Sequence, residues 1–103
     1  MHISKETIVT QKADIVCRNI YKSKFLIDIT DNYLGDRCAL YEINETGMFI
    51  WNCIDGKNSI EQLALLLRNA IIDDIDFDLI LEDVIQFIIS LCSNCFVVVV
   101  NNG

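Results

Sequence analysis

The chain has 103 residues, 52% of them hydrophobic, enough for one domain with a core and too short for two. A formal net charge of -7 and a pI near 4.4 exclude a face that binds phosphates by counterion release, so nucleic acid is not an expected partner. The apolar runs at 87–89 and 96–100 fall far short of the ~20 residues a membrane span needs, and residues 1–11 lack the apolar stretch of a signal peptide; a cytoplasmic protein without membrane contact is expected.

Residues 1–12 read as a flexible lead-in with at most a short strand near 7–10, and residues 13–100 as the single domain. A strand at 15–17 precedes a stronger one at 25–29, in which Phe25, Ile27 and Ile29 share a face because side chains alternate. The segment between them, with Asn19, Lys22 and Ser23, closes a hairpin. A longer turn at 31–37 leads to a third strand at 38–43, with Ala39, Tyr41 and Ile43 on one face and Cys38, Leu40 and Glu42 on the other. The product is a three-stranded antiparallel meander.

Asn44 then caps a helix expected over 45–54, with Met48, Trp51 and Ile54, or Phe49 and Ile50 beside them, as its buried face. Asp55-Gly56 ends it. Ser59 and Gln62 have capping-box spacing, so a second helix starts at Ile60, with Ile60, Leu63, Ala64 and Leu67 as its core stripe. In a third helix over 77–92, Phe77, Ile80, Leu81, Val84, Ile88 and Leu91 keep helical spacing. Ile85 and Ile89 fall outside that stripe, which leaves two readings: they pack on the sheet or the last strand, or they wall a groove for a partner. The uncharged run at 95–100 has high strand propensity. Buried, it completes the sheet; exposed, it is an open edge suited to a dimer contact.

No catalytic set is visible. His2 is the single histidine, and there is no Gly-rich phosphate loop. Cys92-Ser93-Asn94-Cys95 has CxxC spacing, but zinc needs two further ligands, no second such pair exists, and the pair follows a helix rather than opening one. Packing residues at a helix end are the expectation, with no enzyme activity, metal or cofactor.

The order of three strands and three helices, with Ile43-Asn44-Glu45-Thr46-Gly47 closing the third strand and Trp51, Asp55-Gly56-Lys57 and Ile60-Glu61-Gln62-Leu63 following, resembles the PqqD family, the RiPP recognition elements of peptide-modification pathways. The likeness covers about residues 13–96 and is strongest over 43–63; the terminal valine run departs from it. It implies an α+β, winged-helix-like domain, a three-stranded antiparallel sheet followed by a three-helix bundle. The implied function is that of a non-catalytic chaperone. It binds the leader of a ribosomally made precursor peptide as an added strand and presents it to a modifying enzyme, a radical SAM maturase or a peptidase or cyclase. Carried onto this chain, the pairing strand is Cys38, Ala39, Leu40, Tyr41 and Glu42, with Ala39 and Tyr41 as groove floor. Leu81, Ile85 and Ile89 form the other wall, and Asp78, Glu82 and Asp83 form an acidic rim. Trp51, Met48, Ile54 and Leu63 go to the core; Asn44, Thr46, Gly47 and Gly56 are structural punctuation. The alternative is a winged-helix adaptor or regulator that docks a folded protein through the valine edge. DNA is disfavoured, because the second helix offers only Arg68 and the third is flanked by Asp73, Asp74, Asp76 and Asp78. Monomer and homodimer both stay open.

Overall fold

The computed structural model describes residues 3–29 and 39–101. Its elements are β1 (Ile8–Gln11), β2 (Ile15–Ile20), β3 (Ser23–Asp28), β4 (Ala39–Ile43), α1 (Glu45–Cys53), α2 (Ile60–Ala70), α3 (Phe77–Ser93) and β5 (Val97–Asn101). The fold is α+β. Strands β2-β3-β4 form an antiparallel sheet in that order, and β1-β5 form a second, two-stranded one. The expected turn at 31–37 and Cys38 lie outside the described residues.

The local punctuation forms as the residues dictate. The Asn44 side chain accepts the Gly47 N–H at 2.7 Å and starts α1. Ser59 and Gln62 close a reciprocal capping box on α2, with bonds of 2.7 and 3.2 Å. Between these helices Asp55 Oδ1 accepts the N–H groups of Lys57 and Asn58, both at 2.9 Å, and Gly56 takes φ +79°. The Asn58 N–H, then that of Lys57, hold the Asp55 carboxyl below the usual carboxylate range. Ile50, Trp51, Ile54, Ile60, Leu63, Ala64, Leu67, Ile80, Val84, Ile88 and Leu91 are buried together; Met48 packs on their margin.

Two expectations need correction. The run at 95–100 does not complete the meander: β5 pairs with β1, Val9 opposite Val99 and Gln11 opposite Val97. The lead-in is part of the packed structure. Ile3, Thr7 and Val9 are buried, and the carbonyls of Thr7 and Lys5 accept the N–H groups of Ile60 and Glu61, both at 2.9 Å. Those are first-turn donors that a helix cannot satisfy internally, so the lead-in completes the cap of α2. In β3 the face shared by Phe25 and Ile27 is the outer one, and Leu26 between them is fully buried at 0% exposure.

Candidate functional site

β4 is an edge strand: among the described residues it has β3 on one side and no strand on the other. The phase of the ladder tells which of its peptide groups are outward. The Ile29 N–H donates to the Asp14 carbonyl at 3.0 Å. Bonded and non-bonded pairs alternate in an antiparallel ladder, so the bonded pairs between β2 and β3 are Val16–Ile27, Arg18–Phe25 and Ile20–Ser23. Lys24, Leu26 and Asp28 therefore turn their peptide groups to β4, where they face Ile43, Tyr41 and Ala39. Leu40 and Glu42 are left with N–H and C=O directed to the open side. Both side chains are exposed, on the face opposite Tyr41 and Ile43.

Behind this edge stands α3. The Tyr41 hydroxyl donates to Ser90 Oγ at 2.9 Å, and its ring meets Phe87 edge-on at 6.4 Å and Phe96 at 5.7 Å. Phe87 also abuts Gly47 of α1: a Cβ built on that glycine would lie 3.2 Å from the ring. Next to this contact a cleft of about 290 Å³ opens between α1, α2 and α3, lined by Thr46, Gly47, Ile50, Leu67, Asp83 and Phe87 among others. Its floor is apolar, and Asp83 puts one carboxylate at its mouth.

The structure thus brings Leu40, Tyr41 and Glu42 together with α3, but not through the wall expected for it. The residues of α3 that meet β4 are Phe87 and Ser90, both through Tyr41, and Asp83, one turn before Phe87, lines the adjoining cleft. Two positions, about 200° of helical rotation, separate Ile85 from Phe87 and Phe87 from Ile89. Leu81, Asp78 and Glu82 also fall on the side turned away from Phe87. Leu81 and Ile85 are half-buried against the core, and Ile89 is 36% exposed. Of the expected acidic rim, Asp83 is the member at the cleft. Phe87 and Ser90 were not among the expected site residues. A glycine inside a helix is the signal that finds Phe87, because it costs stability unless something must approach the backbone closely. Cys38 lies outside the described residues, as does the side chain of Ala39.

The CxxC segment forms the end of α3. The Cys95 N–H donates to the Cys92 carbonyl at 3.0 Å, the Phe96 N–H donates to the Leu91 carbonyl at 2.9 Å, and Cys95 has φ 65°. This is a Schellman motif with cysteine at the left-handed position where glycine is usual. Burial pushes the Cys92 thiol above its ordinary value, and nearby Cys95 adds to the rise, the reverse of an activated thiolate. No group of three or more candidate metal ligands occurs among the described residues. Cys95→Gly is expected to raise stability by about 1 kcal/mol, read as a higher urea midpoint under reducing conditions.

The described residues thus form a small α+β module with an open antiparallel edge, backed by a helix and an apolar cleft. The family model for Coenzyme PQQ synthesis protein D (PqqD) matches residues 35–97, more than half of the chain, from just before β4 into β5. The chain belongs to the PqqD family, the family of RiPP recognition elements. No curated protein and no solved structure matches it. Membership gives the chain a role in peptide-modification pathways, within a non-catalytic accessory family whose members work with a precursor peptide and a partner enzyme. No helix among the described residues is long and apolar enough to cross a membrane.

Proposed function

We propose that this chain is a non-catalytic peptide chaperone. The leader of a ribosomally made precursor adds as a strand to β4, lies against the Asp83–Phe87–Ser90 flank of α3, and is held there for a modifying enzyme, a radical SAM maturase or a peptidase or cyclase. The observation that carries this reading is the outward pair of peptide units at Leu40 and Glu42, side by side with an apolar cleft. Main-chain bonds to those units supply affinity without demanding sequence; the cleft and the carboxylates around it supply selectivity. Exposed charge pairs contribute only about 0–1 kcal/mol each, so they set register more than they hold.

Binding of the precursor leader to two variants tests the placement of the wall. Phe87→Ala is expected to weaken binding about tenfold or more, and Ile89→Glu to leave it within about twofold, with helical circular dichroism retained by both. The opposite pattern would move the groove to the Ile85–Ile89 side.

A second reading has its own observation. β5 is also an edge, and its Val98 and Val100 are exposed. That uncharged edge suits an adaptor contact with a folded partner or a second copy. It is compatible with leader binding at β4, because the two edges belong to different sheets.

A further inference from the structure

We propose that the leader segment selected by this chain carries, from N- to C-terminus, a basic, a large apolar and an aliphatic residue in succession, facing Glu42, Tyr41 and Leu40. The inference rests on the strand-addition reading and supplies the substrate class for it. The leader is taken to run antiparallel to β4, as every other neighbour in the sheet does.

The two outward peptide units of Leu40 and Glu42 fix the phase. Leader residues directly opposite them form bonded pairs and share their face of the sheet; the residue between turns the other way, with Tyr41. On the outer face the cross-strand row that ends at Leu40 is Val16, Ile27, Leu40, aliphatic throughout. Leu40 keeps 55% of its surface exposed at the end of that row. A fourth strand continues the row best with a further aliphatic side chain, which covers Leu40.

The next row is Arg18, Phe25, Glu42. Glu42 ends it with an exposed carboxylate, and cross-strand pairs of opposite charge are favoured over like ones. No basic group of the chain holds it in an ion pair among the described residues, where Lys12–Asp28 at 2.8 Å is the pair formed. Arg18 stands across Phe25, with its guanidinium donating to the Cys17 carbonyl at 3.0 Å. Lys22 and Lys24 border the same polar hollow as Glu42 and Glu45. Lys22, however, is in the hairpin turn, and Lys24 is in register with Ile43 on the other face of the sheet. The place beside Glu42 on the open side is therefore fitted to Lys or Arg.

The middle residue points inward. It meets Tyr41 and the Phe87 ring, at the approach to the cleft with Ile50 and Leu67 at its base. These are apolar surfaces, and a large apolar side chain fills them.

The test is selection of random nine-residue peptides displayed on phage, against the wild-type chain, Glu42→Lys and Leu40→Pro, each checked for native circular dichroism. The wild type should enrich basic–apolar–aliphatic triads. Glu42→Lys should enrich an acidic first residue with the other two unchanged. Exchanging the basic residue of a selected peptide for Glu should weaken wild-type binding about fivefold. Selected peptides should lose binding to Leu40→Pro. If they depend on Leu40 but keep the same first residue against Glu42→Lys, strand addition stands and the triad is wrong. If they bind Leu40→Pro as well as the wild type, or if nothing is enriched, strand addition at β4 falls and the triad with it.

Discussion

Placing valine at Gly47 is expected to destabilise the fold by about 2–3 kcal/mol, seen as a lower urea midpoint with an unchanged m-value. A Cβ at this position would lie 2.7 Å from Ile43 Cγ1 and 3.2 Å from both Phe87 Cε1 and Asn44 Oδ1. Ile43 is buried, so its side chain has little room to yield. A helical glycine costs about 0.5–1 kcal/mol relative to alanine, and relieving that does not offset an overlap of this kind. The effect extends to function. Ile43 ends β4 and Phe87 walls the cleft, so a side chain at Gly47 forces the edge strand and α3 apart, and leader affinity should fall together with stability.

Leu40→Pro is expected to separate the two properties. The Leu40 N–H is directed away from β3, so proline removes no bond of the β2-β3-β4 ladder, and an edge strand tolerates it there. Stability should change by no more than about 1 kcal/mol. Leader binding, by contrast, loses a donor at the centre of the pairing strand and gains a ring where the incoming backbone must lie; a loss of about tenfold or more is expected in calorimetric titration. Tyr41→Pro is the internal contrast. Its N–H bonds Leu26 across the ladder and its hydroxyl holds Ser90, so that variant should unfold rather than merely fail to bind.

The parts of this fold that were legible in the sequence are those encoded within a few residues. Asn44, the Ser59–Gln62 box and Asp55-Gly56 each pair with atoms two or three positions away, and all appear where the residue types put them. The β2-β3 turn was less legible. Its two residues, Tyr21 and Lys22, include no glycine or asparagine, and Tyr21 takes φ 57° all the same because the flanking strands pair to the last residue. The β1-β5 sheet joins opposite ends of the chain. Strand propensity identified Val97–Val100 as a strand but carries no information on its partner.

At the site, β4 was found because its alternation and the cap at Asn44 mark it. The side of α3 that meets Tyr41 was not. α3 is apolar around much of its circumference, so Ile85 and Ile89 looked as good a wall as Phe87 by period alone. What sets Phe87 beside β4 is tertiary: Gly47 lets its ring approach α1, and Tyr41 meets that ring edge-on while its hydroxyl reaches Ser90.

Amide hydrogen exchange, free and with the precursor leader bound, tests the central claim most directly. The Tyr41 and Ile43 amides, inside the ladder, should be protected in both states, whereas those of Leu40 and Glu42 should exchange rapidly in the free protein and become protected when the leader binds. Protection gained instead at Val99 of β5, with Leu40 and Glu42 unchanged, would contradict the account and move the peptide to the other sheet.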